Sequence, residues 1–467
     1  MNACCFTAFQ YRMTPRTVVV TMTIVPNPRR TITFNLPPFS PSKDIGAHPL
    51  LRGSISRWLW RLFTQRLTPA GRWLLLPTAA FSFYGGASLQ MQGYVAATYM
   101  SALWAVAFCA MLLYRPRVKL HFTHADRVCA GEALPVDVEV RQLGAGRGAD
   151  LVVVPHRLPL GIDAEPDQGM PLGDLRRGES ARVRLTLRCN KRGAYTLAGF
   201  RVETGFPFGI LRAQRLFAER KALLVYPKFT ALGRLMLPTG MRYQPGGVAL
   251  ASTLGESMEF IGNREYRQGD NIRDIDWRAT ARTGGAGLMP IVREYRDEYF
   301  MRVAVILDTH VPEGPTAARE ADREAFERAV SVAAAVSDYM ARQDYLVDLF
   351  AAGPNLYHLT AGRSLAYLDQ ILDILACVEE NPQEPFETIE PEISENLAQI
   401  STVICVFLDW NETRQAFVHR LAQQGAGVKV ILVRDKPATV HPGGEADMVG
   451  EIPVIGKAEF ERGMEEI

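Results

Sequence analysis

The feature that most constrains this chain is a long stretch without charge. Residues 73–114 contain no Asp, Glu, Lys or Arg. A helix needs about 20 apolar residues to cross the hydrocarbon core of a bilayer, and this stretch is roughly twice that length. Because Gly85 and Gly93 weaken its middle, we predict a two-helix transmembrane hairpin with spans at 73–89 and 93–114. The alternative is a helical hairpin buried in a soluble protein, although core helices rarely run so far without a charge.

Basic residues on both sides of the hairpin predict its orientation. They are Arg57, Arg61, Arg66 and Arg72 before it, and Arg115, Arg117 and Lys119 after it. Since basic flanks stay in the cytoplasm, we expect the large soluble part after residue 115 to be cytoplasmic. The seven cysteines form no CxxC pair, which is typical of reduced thiols in a reducing compartment.

The charge is distributed unevenly along the chain. Residues 1–72 carry ten Lys and Arg and a single acidic residue, Asp44. We predict that 1–72 is a basic N-terminal arm, partly disordered, because prolines recur between residues 26 and 41. The remainder is net acidic, which argues against a nucleic-acid partner.

The soluble part divides into two domains with different hydrophobic periods. From 115 to 230 apolar and polar residues alternate in short runs, at 118–122, 135–140 and 181–188. Such runs, separated by Gly- and Pro-rich breaks, predict a β-sandwich-like domain.

From 300 to 435 short apolar strands alternate with amphipathic helices. We predict strands at 301–307, 345–350, 402–408 and 428–433, and helices at 320–341, 364–378 and 411–424. This alternation predicts an α/β parallel-sheet domain covered on both faces, followed by a C-terminal tail at 436–467. Asp308 and Asp409 follow two of the strands, where such sheets bind ligands.

A charge-dense connector at 231–299 joins the two domains. Its central residues are Arg264, Glu265, Tyr266, Gly269, Asp270, Arg273, Asp276, Trp277, Arg278 and Arg282. Arginines without a lysine, spaced among carboxylates and aromatic rings, suit fixed bidentate pairing. Two interpretations stay open, a structural ion-pair network and a partner-binding surface, and both can hold together.

These residues resemble the motif of a bacterial family, the domain-of-unknown-function family fifty-eight. The matching positions are Glu265-Tyr266, Gly269-Asp270, Arg273, Ile275-Asp276-Trp277, Ala281-Arg282 and Arg293-Glu294, with Arg192-Gly193, Pro207-Phe208-Gly209 and Val225-Tyr226-Pro227 upstream. The resemblance covers about 115–435. It implies a membrane hairpin, a β-domain and a von Willebrand factor A-like domain in that order. It also implies a gene beside a MoxR-type AAA+ ATPase, and therefore such an ATPase as partner.

The resemblance raises the question of a metal site. Von Willebrand A-like domains that bind Mg²⁺ use Asp-x-Ser-x-Ser after the first strand, with a Thr and a second Asp from other loops. Here His310 and Pro312 stand at the two hydroxyl positions after Asp308, and neither suits Mg²⁺. Thr360 and Asp409 are the remaining candidates. We therefore expect a degenerate site without metal, in which Asp308 bonds the following loop.

The sequence offers no enzymatic motif. It contains no P-loop, GxSxG or HExxH, and we predict neither a catalytic residue nor a cofactor. The expected function is a scaffold or adaptor in the bacterial inner membrane that assists a MoxR-type ATPase in the assembly or maturation of other proteins. The alternative is a divalent-metal-dependent binding protein or hydrolase that uses Asp308 and Asp409.

Overall fold

The computed structural model divides into two compact units, Met1–Lys228 and Phe229–Ile467. The described residues are 9–13, 18–23, 31–35, 66–88, 91–144, 148–238, 260–267, 270, 272–282, 289–295, 302–343, 345–352, 356–360, 365–397, 400–441, 449–464 and 466. Most of the predicted basic arm lies outside them. Within it the chain forms three short antiparallel strands, β1 (Phe9–Met13), β2 (Val18–Thr23) and β3 (Thr31–Asn35), which the sequence did not predict.

Two long helices follow, α1 (Pro69–Ser88) and α2 (Met91–Leu113). They pack along each other, and the Trp104 indole N–H donates to the Thr78 hydroxyl at 3.1 Å. A Cβ on Gly93 would lie 2.8 Å from the Gly85 Cα, so glycine is needed where the two helices turn.

Among the described helices, α2 is long and apolar enough to cross a membrane. Helix α1, which we predicted as the first span, does not reach the same apolarity, since it contains Arg72 and several polar residues. The structure therefore supports one candidate span rather than the two that the sequence predicts. Large apolar side chains of both helices are nevertheless exposed, for example Phe83 and Leu113.

The rest of the first unit is a β-rich domain. Its strands are β4 (Val118–Thr123), β5 (Arg127–Cys129), β6 (Ala133–Gln142), β7 (Gly148–Pro155), β8 (Ile162–Glu165), β9 (Met170–Leu175), β10 (Ser180–Cys189), β11 (Gly193–Leu197), β12 (Phe200–Thr204), β13 (Ala213–Phe217) and β14 (Lys221–Tyr226). They form sheets in the orders β4-β6-β10-β8, β13-β12-β7-β9 and β11-β14-β5.

Alternation of buried and exposed side chains is clearest in the sheet that contains β4 and β6. In β6 the side chains of Leu134, Val136, Val138 and Val140 are buried while those between them face solvent. Because strand side chains alternate between faces, one face of each sheet joins a shared apolar core with Phe122 and Phe200 at its centre. On the solvent face, Arg184 pairs with Asp137 at 2.7 Å.

The second unit begins with a two-stranded hairpin, β15 (Phe260–Glu265) and β16 (Ile291–Tyr295), which encloses helix α3 (Trp277–Arg282). The α/β part contains β17 (Arg302–Leu307), α4 (Thr316–Arg342), β18 (Leu346–Ala352), β19 (Leu356–Thr360), α5 (Leu365–Cys377), α6 (Phe386–Asn396), β20 (Thr402–Phe407), α7 (Glu412–Gln423), β21 (Gly427–Val433), β22 (Val454–Ile455) and α8 (Lys457–Arg462).

The strands from β17 onward form one sheet in the order β19-β18-β17-β20-β21-β22. All neighbours pair in parallel except β18 and β19, which are antiparallel. The chain leaves β17 in one direction along the sheet and returns to β20 on its other side. The carboxyl ends of β17 and β20 therefore flank the point where strand order reverses, which is the usual ligand position in such sheets.

Candidate functional site

The predicted motif folds as the β15–β16 hairpin with a helical excursion between its strands. Arg264 lies opposite Val292, and Glu265 lies opposite Ile291. The hairpin continues past β15, because the Tyr266 amide donates to the Pro290 carbonyl at 2.7 Å. The motif is therefore an ordered element rather than a loose connector.

An arginine–carboxylate pair closes the turn after β15. The Arg264 guanidinium donates two hydrogen bonds to the Asp270 carboxylate, at 2.7 and 2.8 Å. The Arg267 amide donates to the same carboxylate at 2.7 Å. The Arg264 bonds, and then the Arg267 amide, lower the pKa of Asp270 to about 2. Gly269, which we predicted in the same motif, lies outside the described residues.

Asp276 caps helix α3. Its Oδ1 accepts from the amides of Arg278 and Ala279, both at 3.0 Å, as an N-cap carboxylate does. Its Oδ2 accepts from the Arg293 Nε at 3.2 Å. The Ala279 amide, and then Arg293, hold the pKa of Asp276 below its usual value.

Thr280 ties helix α3 to β16. Its hydroxyl donates to the Asp276 carbonyl at 2.9 Å and accepts from the Ile291 amide at 3.0 Å. The Asp276 amide in turn donates to the Ile291 carbonyl at 2.8 Å. These bonds place the helix directly against the strand, where Val292 is buried.

The rest of the motif points outward. Trp277, between the capping residue and the first arginine of α3, has 66% of its surface exposed, and Ile272 and Met289 are exposed to a similar extent. The exposed basic residues of the motif are Arg267, Arg273, Arg278 and Arg282. Glu265 is also exposed, and Tyr266 is half-buried. Inward carboxylates thus fix the hairpin, and an indole ring with guanidinium groups forms its outer surface.

The two strand-end carboxylates form a separate cluster. Asp308 is fully buried after β17, and its Oδ1 accepts from the His310 amide at 3.0 Å. Its Oδ2 accepts from the Leu408 amide at 3.0 Å and from the Arg414 guanidinium at 2.6 and 2.9 Å. Arg414, in the first turn of α7, is itself buried.

The Asp409 carboxylate likewise accepts hydrogen bonds from backbone amides and pairs with an arginine. It accepts from the amides of Trp410 and Thr439, at 2.7 and 3.1 Å, and from the Thr439 hydroxyl. It also forms an ion pair with Arg434. Burial lowers the pKa of the Arg434 guanidinium.

These residues do not fit a divalent metal ion. Asp308 pairs with Arg414, and Asp409 pairs with Arg434. Because these guanidinium groups already neutralise the carboxylates, a metal cation would have to displace them. In the strand register, Thr360 lies opposite Asp348, near the amino end of β18. It is therefore at the amino-terminal end of the parallel strands, whereas Asp308 follows the carboxyl end of β17. Within the described residues, no group of three or more His, Cys, Asp or Glu side chains could hold a metal.

The sequence predicted none of the partners of these carboxylates, namely Arg414, Arg434 and Thr439, and only Arg414 left a signal. A basic residue in the first turn of a helix faces the positive end of the helix dipole, which is unfavourable. Arg414 stands in the first turn of α7, just after the Asn411 cap. An arginine at this unfavourable position indicated from the sequence that a carboxylate lies close to it.

Comparison with known proteins confirms the family resemblance for the part of the chain after the β-rich domain, and the positions quoted at 192–227 lie outside the match. Residues 262–436 match the family described as "Protein of unknown function DUF58", so the match includes both the hairpin motif and the sheet from β17 to β21. No curated protein matches this chain. A solved structure of a CARDB domain from Pyrococcus furiosus, in complex with di-metal ions, is similar to 24% of this chain over 94% of its own length, at 12% identity and a TM-score of 0.16. That score is too low to carry an argument.

Proposed function

We propose that this chain is a membrane-anchored scaffold or adaptor that docks a partner through its hairpin motif. Residues 262–436, which include that motif, match the DUF58 family, whose function is unknown. The observation that carries the proposal is the exposure of Trp277, 66% of whose surface faces solvent. An exposed indole among arginines is the composition that protein interfaces favour. The Arg264–Asp270 and Asp276–Arg293 pairs tie the segments on either side of this surface to the hairpin, and such fixed contacts would reduce the entropy lost on binding.

The proposed partner is an AAA+ ATPase of the MoxR type. The family resemblance supports this choice, and the arginines Arg273, Arg278 and Arg282 favour an acidic docking site on the partner. The α/β part would then belong to the von Willebrand factor A-like class. Its strand order β19-β18-β17-β20-β21-β22, with one antiparallel edge strand, is consistent with that assignment. In the first unit, the alternation of buried and exposed side chains along β6 is likewise consistent with a β-sandwich-like domain.

The proposed function involves no enzymatic activity. Asp308 and Asp409 are the carboxylates at the sheet position where ligands usually bind, and both are paired with guanidinium groups. Their ion pairs argue against the alternative of a metal-dependent binder or hydrolase.

We further propose that α1 and α2 both enter the bacterial inner membrane, with the soluble domains in the cytoplasm. The exposed apolar side chains of both helices, among them Leu76, Phe83 and Leu113, would face lipid. The Thr78 hydroxyl donates to the Leu74 carbonyl at 2.7 Å and accepts from Trp104, so this polar group of α1 is satisfied inside the hairpin, as a membrane segment requires.

Co-purification tests the docking proposal. Tagged full-length protein, extracted in detergent, is mixed with a MoxR-type ATPase trapped with a non-hydrolysable nucleotide. We expect the ATPase to be recovered with the wild type and to be lost with Trp277→Ala and with Arg278→Ala. The matched controls are Met236→Ala and Arg462→Ala, which remove exposed side chains outside the motif. The proposal is wrong if the wild type recovers no ATPase, or if the motif variants recover as much as the controls.

A further inference from the structure

The turn at residues 205–209 (Gly-Phe-Pro-Phe-Gly) extends from β12 and contains the Pro207-Phe208-Gly209 part of the family pattern, to which the docking proposal gives no role. The start of α1 is fixed to this turn. The Thr68 hydroxyl donates to the Gly209 carbonyl, and the Thr68 amide donates to the Ile210 carbonyl at 3.1 Å. A Cβ on Gly71 would lie 2.3 Å from the Ile210 oxygen, so the helix backbone itself rests on the chain after the turn.

The end of α2 meets the same turn. The Tyr114 and Phe206 rings pack edge to face with centroids 4.9 Å apart. Just beyond, the amides of Leu143 and Gly144 donate to the Arg117 carbonyl at 2.8 and 3.1 Å. Both ends of the helical hairpin are therefore held by one end of the β-rich domain.

The aromatic rings at this junction are exposed. Phe206 and Phe208 have 38% and 46% of their surface exposed, and Tyr114 has 41%. Exposed basic residues accompany them, namely Arg72, Arg115 and Arg117. Aromatic rings beside arginines at the end of a membrane helix are typical of the interface between hydrocarbon and lipid headgroups.

We propose that the Phe206–Phe208 turn inserts into the headgroup region of the same bilayer that α2 enters. This inference rests on the proposed membrane anchoring. The edge-to-face contact keeps Phe206 at the depth of Tyr114, which ends the apolar stretch. Burial of the two phenylalanine rings in this region contributes hydrophobic free energy to the binding of the β-rich domain to the membrane. The β-rich domain is then held against the membrane surface by two helix ends and one inserted turn.

Photo-crosslinking of the unmodified full chain tests this. The protein is reconstituted into vesicles in which a fraction of the lipid carries a diazirine near the glycerol backbone. After irradiation, crosslinked peptides are quantified by mass spectrometry. We expect adducts on Phe206 and Phe208 at several-fold higher yield than on Leu160. Leu160 is the internal control because it is 51% exposed and follows the opposite end of β7, which pairs with β12.

Adducts on Met91–Leu113 report the anchoring independently of the turn. Adducts on that helix without any on the turn would overturn the inference and leave the anchoring intact. Absence from both would overturn the anchoring and the inference with it. Equal yields on Phe208 and Leu160 would also overturn the inference, because they would reflect exposure alone. A Phe206→Ser, Phe208→Ser double variant should lose the turn adducts while keeping those on the helix.

Discussion

At the residue scale, the Asp308 carboxylate lies where a ligand would be expected, and its oxygens accept hydrogen bonds from the amides of His310 and Leu408 and from the Arg414 guanidinium. A buried ion pair gains little over an apolar pair of equal size, but removing one partner leaves the other charge unpaired in a medium of low dielectric constant. The Asp308–Arg414 pair, with side chains 0% and 2% exposed, is such a case.

We therefore expect Arg414→Met to lower the free energy of unfolding by about 3–5 kcal/mol, measured by urea unfolding in detergent. The control is Arg420→Met on the same helix, whose pair with Glu390 is partly exposed, at 45% and 30%, and should contribute at most ~1 kcal/mol. The double variant Asp308→Asn, Arg414→Met should lose less than the two single losses combined, because neither charge is then left alone. Equal losses at Arg414 and Arg420 would contradict this account.

The same pairing predicts indifference to divalent metal. Adding Mg²⁺ or Mn²⁺ should leave the melting temperature of the wild type unchanged, because Arg414 and Arg434 already neutralise the strand-end carboxylates. A ligand that binds only the folded state raises stability. A rise in melting temperature that disappears in Asp308→Asn would therefore establish a metal site that the geometry argues against.

Because Asp270 has a lowered pKa, we predict that the stability of the β15–β16 hairpin depends on pH. The Arg264 hydrogen bonds and the Arg267 amide lower the pKa of Asp270 to about 2, so the folded state binds the proton more weakly than the unfolded state does. The stabilisation is then complete above pH ~4 and is lost as the pH falls towards ~2. The protection factors of the amides at 264–267 and 270, which correct for the intrinsic pH dependence of exchange, should fall over that interval. Asp270→Asn should show low protection at every pH, and a protection profile identical to the wild type would refute the role of the Arg264–Asp270 pair.

At the element scale, the hairpin separates buried residues that stabilise it from the exposed residues that we propose as its docking surface. Trp277 is largely exposed and Val292 is 3% exposed. Trp277→Ala should change the free energy of unfolding by no more than ~0.5 kcal/mol, whereas Val292→Ala should reduce it by roughly 2 kcal/mol because it leaves a cavity. Thermal unfolding of both variants in detergent measures this. A larger loss at Trp277 than at Val292 would show that the indole packs against the protein.

Regular periodicity is what made the predicted strands and helices recognisable. The alternation in β6 and β10 and the apolar runs of β17, β20 and β21 were sufficient to place those strands within two residues. Helix α6 was missed because Pro385 and Pro391 read as a connector, although Phe386, Ile389 and Ile393 bury one face of it. The β15–β16 hairpin was missed as strands because each segment is short, FIGNRE and IVREY, and ends in an Arg-Glu pair or an Arg-Glu-Tyr run rather than alternating regularly.

The candidate site was predictable only in part, for a physical reason. The sequence located the motif and the two strand-end aspartates, because each is local in the chain. It could not place Arg414 beside Asp308 or Arg293 beside Asp276, since those pairings depend on which strands become neighbours. It also could not decide whether Trp277 is buried, which follows from the side of α3 that meets β16.

At the scale of the whole molecule, exposed apolar surface is concentrated in one unit. Most large exposed apolar side chains belong to α1 and α2, within Met1–Lys228, and few belong to the described part of Phe229–Ile467. Since large exposed apolar patches drive association in water, we expect a fragment of residues 229–467 to be soluble without detergent and to unfold cooperatively. The full chain should require detergent or lipid. Size-exclusion chromatography and circular dichroism measure both. Aggregation of the fragment, or a monodisperse full chain in plain buffer, would contradict this division, because either result would place the main apolar surface outside the two helices.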